Sequence, residues 1–389
     1  MRGFRMPTRV EIEPGCAAQL APVLHTLDAG RVVLVCDPGL EATPWPTQLR
    51  ASLKAAGIAS ATFADVPSNP RTTTAEAAAA RARQHGAAAL VALGGGSAID
   101  AAKAAAVLAT NQGSAADFAG RERYTAAPLP LVALPTTCGT GSEVTWVSVL
   151  TDEAARTKIS LKGEAMFPAQ ALVDADLLGT LPDPLVAWTG LDAVTHALEA
   201  TTCRLANPVS DALAERALAL LLAALPDAVG TPGERRDGAR AQVMRGATLA
   251  GMAFGNADVA AVHCLSEALG GRYDVHHGLA NAILLVPVFR RHRPHVDPRL
   301  AELAVSVFGA DPRAPVAERA EAWLARLEDL AAALAVPSFT SLGIDLAEHA
   351  AIADAAAENG SNAANPRPMT ATSYAQILTD VAEGSRTAR

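Results

Sequence analysis

The chain of 389 residues, at 39.9 kDa, is too long for one ordinary domain, and at ~150 residues per domain it predicts two, or at most three. Half of its residues are hydrophobic, which excludes disorder as the main state. A net charge of −8 and an aromatic content of 4% argue against nucleic acids and anionic membranes as partners.

The five cysteines are scattered and form no CxxC pair, so neither a disulfide framework nor a cysteine zinc site is indicated. The first fifteen residues lack the apolar region of a secretory signal. The longest apolar run, 217–225, is far shorter than the ~20 residues that cross a membrane. We therefore expect a soluble cytoplasmic protein without a membrane partner.

The first half of the chain alternates short apolar runs with alanine-rich stretches. In chain order it predicts a strand at Arg31–Cys36, a helix at 75–84 with threonines 72–74 available to cap it, a strand at 87–93, a helix at 98–110 and a strand at 129–135. Strands separated by helices of this length indicate βαβ units, hence a parallel sheet with helices on both faces.

The pattern changes near residue 180, where Asp183-Pro184 has the composition of a helix start. The segments that follow carry helical periodicity and almost no strand signal: 184–203, 208–225, 236–254, 257–270, 278–292, 299–308, 315–335, 345–358 and 370–383. We therefore predict an α/β domain over residues 1–181 and an all-helical domain over residues 182–389.

The glycine-rich turn Gly94–Ser97 lies between a predicted strand and a predicted helix. Glycines there let the backbone approach a ligand closely, and the helix N-terminus suits a pyrophosphate, although the same residues also suit a simple connecting turn. The spacing is not GxGxxG, so the usual Rossmann fingerprint is absent.

Two further features favour a nucleotide site. Asp37 follows the first long strand, where a carboxylate can bond the ribose 2′-OH of NAD and would repel the 2′-phosphate of NADP; alternatively it only starts the turn at Pro38-Gly39. The hydroxyl-rich loop 136–143 (TTCGTGSE) follows a later strand, at the sheet edge where open α/β folds bind ligands. The sequence therefore favours NAD(H) over NADP(H).

One carboxylate and three imidazoles are candidates for a metal site. Asp192 and His196 are four residues apart on a predicted helix and share one face. His263 lies in the helical run that Gly270-Gly271 is expected to end, and His277 begins the next helix. These donors suit Fe²⁺ or Zn²⁺, although each pair alone is more typical of a capped or solvated pair.

The other histidines are interpreted differently. Five of them are expected at the surface or in loops: His25, His85, His292, His295 and His349. His276 adjoins a candidate ligand, so it could donate a hydrogen bond behind the metal, carry a proton, or simply pack.

Several ordered segments carry a resemblance to a known family. They are Asn69-Pro70, Gly94–Ser97 with Asp100 and Lys103, the block 135–145 (PTTCGTGSEVT), Gly190–Ala193 with His196, Gly251–Phe254, His263, His277–Asn281 and Asn365–Pro368. Over nearly its full length the chain resembles the iron-containing (group III) alcohol dehydrogenases.

The resemblance implies a dinucleotide-binding α/β domain followed by an all-α domain, the dehydroquinate-synthase-like architecture, with the active site in a cleft. It implies an Fe²⁺ or Zn²⁺ ion on Asp192, His196, His263 and His277. The cofactor positions implied here are Asp37, Asn69, Gly95, Gly96, Ser97, Thr136, Thr137, Thr140 and Lys158. A homodimer or larger assembly and primary alcohols or aldehydes as substrates are implied as well.

Two departures from the family pattern concern the proton and the substrate. Many members carry a histidine four residues after the third ligand, where this chain has Glu267, and His276 replaces what is commonly proline. Either residue is a candidate for the proton relay. The candidates for the substrate pocket are Trp146, Ser148, Lys162 and Phe254. The lysine would suit an anionic aldehyde.

The leading hypothesis is a metal-dependent, NAD(P)-linked alcohol dehydrogenase or aldehyde reductase acting on a small molecule. One alternative keeps the fold and changes the reaction, as in dehydroquinate-synthase-like cyclases and glycerol dehydrogenases. A cyclase should hold phosphate with clustered Lys or Arg, which we do not find beside the ligands. The other alternative is a non-enzymatic protein that binds metal or nucleotide.

Overall fold

The computed structural model describes residues 3–387, which separate into two compact units. The first unit is residues 6–182, and the second is residues 3–5 together with the chain from Asp183 onward. Residues 1–2 and 388–389, the outer ends of the two predicted domains, lie outside the described residues.

The first unit contains short strands joined by helices and loops. Its strands are β1 (Arg9–Glu11), β2 (Arg31–Cys36), β3 (Ala59–Phe63), β4 (Ala89–Gly94), β5 (Gly120–Arg121), β6 (Leu131–Pro135), β7 (Val147–Asp152), β8 (Thr157–Lys162) and β9 (Gln170–Leu172). Its α-helices are α1 (Leu20–Thr26), α2 (Trp45–Ala55), α3 (Thr72–His85) and α4 (Gly96–Thr110).

The main sheet has the strand order β1-β9-β6-β4-β2-β3, and all of its pairs are parallel. Successive side chains of a strand point to opposite faces, so each central strand supplies two apolar layers. In β2, Val33 and Val35 pack with α3 and α4, whereas Val32 and Leu34 pack with α1 and α2. The predicted parallel sheet with helices on both faces is confirmed.

Strands β2, β4 and β6 and helices α3 and α4 were predicted, but other elements were missed. The sequence of β3 (ASATF) contains few large apolar residues because it is an edge strand with partly exposed side chains. The second sheet, β5-β8-β7, was also missed, because the antiparallel pair of β7 (VSVLTD) and β8 (TKISLK) mixes polar and apolar residues and has no long apolar run. The capping prediction for threonines 72–74 was wrong, because the helix already begins at Thr72 and its N-cap is Arg71.

The second unit is helical, as predicted, and no strand occurs in its described residues. Its α-helices are α5 (Asp183–Thr202), α6 (Pro208–Ala224), α7 (Glu234–Phe254), α8 (Ala261–Tyr273), α9 (His277–His292), α10 (Asp297–Phe308), α11 (Val316–Ala333), α12 (His349–Glu358) and α13 (Ala371–Thr387). The carboxylate of Asp183 accepts hydrogen bonds from Arg240 Nη2 at 2.7 Å and from Gly230 N at 2.8 Å, which ties the start of α5 to its neighbours. Helix α8 continues through Gly270-Gly271 instead of ending there.

Two of the histidines predicted at the surface are buried. His292 is 2% exposed and His349 is 7% exposed. The arginines around His292 suggest an exposed segment, but in a helix it lies one turn beyond the buried Phe289 and packs edge-on against that ring. Helical position therefore decides its burial, not the polarity of its sequence neighbours.

Helices α5 and α9 come together at a glycine. A Cβ on Gly278 would lie 2.9 Å from the carbonyl oxygen of Trp188 and 3.4 Å from the Cα of Thr189. Real Cβ atoms do not approach backbone atoms to 2.9 Å, so only glycine permits this separation of the two helices. In the described part of the chain, no helix has the length and hydropathy needed to cross a bilayer.

We expect Gly278→Ala to lower the free energy of unfolding by about 1–3 kcal/mol, because the added methyl group must push the α5 backbone away. The control is Gly238→Ala in the exposed part of α7, where a Cβ would meet nothing within 4 Å. That change should be neutral or stabilise by about 0.5–1 kcal/mol, since alanine is the better helix former. Urea denaturation measures both, and a Gly278→Ala protein as stable as wild type would contradict the close-contact argument.

Candidate functional site

Three helices of the second unit bring four potential metal ligands together. Asp192 and His196 lie one turn apart on α5, His263 lies in the first turn of α8, and His277 is the first residue of α9. One ligand atom from each residue lies within 4.8 Å of all the others. Asp192 Oδ1 is 3.7 Å from His196 Nδ1, 3.7 Å from His263 Nε2 and 3.8 Å from His277 Nε2.

The donor set fits a divalent transition-metal ion. Bonds of ~2.1 Å from one ion to N and O ligands place those ligands ~3–3.5 Å apart, close to the spacing observed. The second carboxylate oxygen of Asp192, Oδ2, is buried and accepts no hydrogen bond from the described residues. A buried carboxylate oxygen that accepts no hydrogen bond is costly unless a cation compensates its charge. The side chain of His277 is 32% exposed, so the cluster is open on one side.

The rings are oriented by groups outside the cluster. His263 Nδ1 lies 2.6 Å from Glu199 Oε2, which leaves Nε2 facing Asp192. His277 Nδ1 lies 3.4 Å from Ser266 Oγ, and its Nε2 likewise faces Asp192. Metal-binding imidazoles usually make such a hydrogen bond through their other nitrogen.

The carboxylate and the imidazoles of the cluster shift one another's pKa values. Burial raises the pKa of Asp192, but the imidazoles of His196, His263 and His277 outweigh it and hold that pKa well below its ordinary value. Burial lowers the pKa of His263, but the carboxylates of Asp192 and Glu199 outweigh it and raise the pKa to about 10. Because a ligating imidazole must be neutral, metal binding has to displace the proton of His263.

Both candidates for proton transfer and one candidate for substrate contact lie in the second unit. Phe254, the last residue of α7, stacks on the ring of His196 with centroids 4.2 Å apart. His276 caps α9, since its Nδ1 accepts from Leu279 N at 3.4 Å, and burial lowers its pKa. Glu267 Oε2 accepts from Asn359 Nδ2 at 2.7 Å.

The sequence predicted no role at the metal site for three residues beside the cluster. Glu199, Ser266 and Asn281 lie three or four residues beyond His196, His263 and His277 respectively. Asn281 Nδ2 donates to Asp192 Oδ1 at 2.6 Å and contacts His263 Nε2 at 3.1 Å. The helical spacing of three or four residues would have identified all three, because it places each beside a ligand on the same face.

In the first unit, the predicted cofactor residues gather at one edge of the main sheet. Asp37 follows β2, Gly94–Ser97 follow β4, and the threonines 136, 137 and 140 follow β6. These three strands are adjacent and parallel, so their carboxyl ends meet. After β2 the chain adds β3 on one side, whereas after β4 the next strand of this sheet is β6, on the other side. Open α/β sheets bind ligands at the carboxyl ends of the two strands between which this direction reverses, here β2 and β4.

The turn and the loop touch each other through glycines. Gly94 has φ +155°, and a Cβ there would lie 2.6 Å from Ala98 Cβ and 3.4 Å from Asp37 Oδ2. A Cβ on Gly95 would lie 2.8 Å from Thr137 Cγ2, and one on Gly96 equally close to Thr140 Cγ2. Glycine is therefore required for the turn to lie directly against the threonine loop.

The remaining cofactor candidates form hydrogen bonds at or near the glycine turn. Thr136 N donates to the Gly94 carbonyl at 3.0 Å, and Ser97 Oγ donates to the Ser68 carbonyl at 3.5 Å. Lys158 Nζ on β8 donates to Asn69 Oδ1 at 2.8 Å.

Asp37 has the capping role that the sequence left open. Its Oδ1 accepts from Leu40 N at 3.2 Å, and burial raises its pKa.

Three candidates for the substrate pocket lie in the first unit. The Arg121 guanidinium lies over the Trp146 ring at 4.9 Å, and Lys162 on β8 is paired with Val147. Ser148 is fully buried and donates to the Asp100 carbonyl at 2.8 Å. This contact gives Ser148 a structural role, and its place in a substrate pocket stays a prediction.

Two sequence profiles cover the chain. One, described as iron-containing alcohol dehydrogenase, matches residues 7–175, and the other, described as the C-terminal part of the Fe-containing alcohol dehydrogenase family, matches residues 186–382. The two matches together take in both units.

Alcohol dehydrogenases from other organisms match this chain over most of their own length. Long-chain-alcohol dehydrogenase 1 of Geobacillus thermodenitrificans is 38% identical over 76% of this chain and 74% of its own. The NAD-dependent methanol dehydrogenase of Bacillus methanolicus is 31% identical over 97% of this chain and 99% of its own. The crystal structure of a 1,3-propanediol oxidoreductase is 31% identical and superimposes with a TM-score of 0.94 over 98% of this chain and 100% of its own. The chain therefore belongs to the iron-containing alcohol dehydrogenase family, whose members are NAD(H)-dependent oxidoreductases that interconvert alcohols and aldehydes.

Proposed function

We propose that Asp192, His196, His263 and His277 hold one divalent metal ion, Fe²⁺ or Zn²⁺. The observation that carries this proposal is the close approach of three imidazoles to a buried carboxylate whose Oδ2 accepts no hydrogen bond from the described residues. Both metals accept one carboxylate and three imidazoles, and the supply in the cell selects between them. The family supports iron.

The first unit is proposed to bind the dinucleotide, so that residues 1–181 form the cofactor domain and residues 182–389 the metal domain. The turn Gly94–Ser97 and the N-terminus of α4 would hold the pyrophosphate, since the helix end offers N–H donors and a positive dipole. The threonines 136, 137 and 140 lie against that turn, and Asn69 with Lys158 borders it through Ser68.

Asp37 is proposed to select NAD(H) over NADP(H). With Oδ1 engaged by Leu40 N, the carboxylate is held beside Gly94, where it can bond the ribose hydroxyls and repel a 2′-phosphate. The cap that orients the carboxylate is thus compatible with a role in cofactor choice.

The reaction proposed is the interconversion of a primary alcohol and an aldehyde. Held by Asp192, His196, His263 and His277, the metal would act as a Lewis acid on the substrate oxygen, and the nicotinamide would supply or accept the hydride. Phe254 covers one face of His196 and would exclude water beside the ligands. His276 accepts a hydrogen bond at Nδ1, so its neutral ring carries a proton at Nε2 that can be passed to the substrate oxygen. Glu267 is the other candidate for this relay.

The substrate and the assembly state are also proposals. Phe254 is the best supported pocket residue because it contacts a ligand ring, whereas Trp146 and Lys162 are supported only by their partial exposure and Ser148 by its sequence position. Lys162 favours testing anionic aldehydes beside neutral ones. We propose a homodimer or larger assembly, which light scattering of the purified protein measures.

Metal-stripped protein should take up one equivalent of Fe²⁺, Zn²⁺ or Co²⁺ per chain. Asp192→Ala should weaken binding at least ~100-fold, because even groups behind the ligands contribute 10–100-fold. His295→Ala, a change at an exposed histidine of the same unit, should bind as wild type does. Elemental analysis and competition with a chromophoric chelator measure both. A wild-type protein that holds well under one equivalent would contradict the metal proposal.

The loaded enzyme should oxidise NADH with at least one aldehyde from a panel of short neutral, carboxylate-bearing, sulfonate-bearing and phosphonate-bearing compounds. We expect His263→Ala to lower kcat/KM by about 10³-fold, since a Lewis acid contributes several kcal/mol, while NADH binding stays within about twofold. Full activity after metal removal would rule out the mechanism. Inactivity of the loaded enzyme on the whole panel would favour a non-enzymatic role.

Replacing Asp37 should change cofactor choice. We expect Asp37→Ser to raise the ratio of kcat/KM for NADPH to that for NADH by about tenfold or more, because repulsion of the 2′-phosphate is removed. Glu41→Gln is the matched control, an exposed carboxylate on the same turn that pairs with Arg50 and should leave the ratio unchanged. A wild-type preference for NADPH would contradict the assignment of Asp37.

A further inference from the structure

Glu199 is a buried carboxylate of the second unit that accepts three hydrogen bonds. It lies on α5 one turn beyond His196 and is 1% exposed. Its Oε1 accepts from Val262 N at 2.7 Å, and its Oε2 accepts from Ala260 N at 2.8 Å and contacts His263 Nδ1 at 2.6 Å. One side chain of α5 therefore binds both the backbone at the start of α8 and the ring that α8 carries.

The backbone contacts determine where α8 begins. The first N–H groups of a helix have no partner within the helix, and a carboxylate near them also interacts favourably with the helix dipole. Glu199 satisfies the N–H groups of Ala260 and Val262, which flank the first helical residue, Ala261. Because His263 is in this first turn, the same carboxylate sets the backbone position of His263 relative to α5.

The contact with the ring determines which nitrogen faces the metal ligands. A carboxylate at Nδ1 keeps the proton of a neutral imidazole on that nitrogen, and Nε2 then offers its lone pair. His263 Nε2 lies 3.7 Å from Asp192 Oδ1, on the side where the ligand atoms converge. Glu199 itself is not among the four converging groups.

We infer that Glu199 is a positioning residue of the metal site. Through its contact with the ring it fixes the tautomer of His263, and through its hydrogen bonds to the start of α8 it fixes the distance between His263 and Asp192. This inference rests on the proposed metal function. It assigns to Glu199 a role in metal affinity that is separate from its role in folding.

The competing explanation is purely structural, and the chain contains a control for it. Asp174 in the first unit is also a buried carboxylate, 2% exposed, that accepts three backbone N–H donors. Its Oδ1 accepts from Gly15 N at 2.9 Å and Asp176 N at 3.0 Å, and its Oδ2 from Ala17 N at 3.0 Å. Asp174→Asn therefore removes the same chemistry without a neighbouring imidazole in these contacts.

The test compares Glu199→Gln with Asp174→Asn in the full chain, with Co²⁺ as the probe. The glutamine cannot satisfy all three donors, because one end of its amide is itself a donor. We expect both variants to unfold at a lower temperature than wild type in the metal-free state. Only Glu199→Gln should bind Co²⁺ about 10–100-fold more weakly, measured by chelator competition, and shift the visible absorption bands of bound Co²⁺. Its NADH affinity should stay within about twofold.

If Glu199→Gln does not fold, Glu199→Asp serves, since it keeps the charge but withdraws the carboxylate from His263 by one methylene. The same loss of Co²⁺ affinity and the same spectral shift are expected. The inference would be overturned if the variant unfolds at a lower temperature but binds Co²⁺ within twofold of the wild-type affinity and with an unchanged absorption spectrum. That result would leave the proposed function intact. A wild-type chain that binds no Co²⁺ would overturn both.

Discussion

The second unit depends on one electrostatic constraint, the burial of the Asp192 carboxylate. A carboxylate at 1% exposure must be compensated by positive charge, and here three imidazoles from three helices provide it or share a cation with it. That requirement sets how closely α5, α8 and α9 pack. Gly278 permits the α5–α9 approach, and Glu199 ties the start of α8 to α5. The packing of these helices therefore surrounds a buried charged cluster as well as an apolar core.

The dinucleotide site proposed for the first unit would meet a different constraint, because backbone N–H groups at a helix N-terminus suit a pyrophosphate. The parallel order of β2, β4 and β6 brings three strand ends to one edge, and the glycines of the turn let it lie against the threonine loop without a Cβ between them. Asp37 and Lys158 bring charge to the border of that edge. The net acidity of the chain says nothing about this local arrangement.

The sequence predicted much of the fold and of the candidate site for identifiable reasons. Apolar runs marked β2, β4 and β6, and helical periodicity marked every α-helix of the second unit. The edge strand β3 was missed because a partly exposed strand needs no large apolar residues. His292 was wrongly predicted at the surface because its sequence neighbours are charged, although its own position on the helix is buried. Asp192, His196, His263 and His277 were predicted from residue type and family resemblance. Glu199 was missed although it lies one helical turn beyond His196, because a glutamate on a helix is usually exposed and its sequence does not show that it is buried.

By itself the sequence determined which donors and glycines are present, the division into an α/β half and a helical half, and the family. Those properties follow from residue type and local periodicity, which a linear chain records directly. Only the tertiary structure decided that Glu199 meets the start of α8, that Asp37 caps its own turn beside Gly94, and that Lys158 reaches Asn69 from the second sheet. Such contacts join residues up to 89 positions apart, and their distances depend on how helices and strands pack.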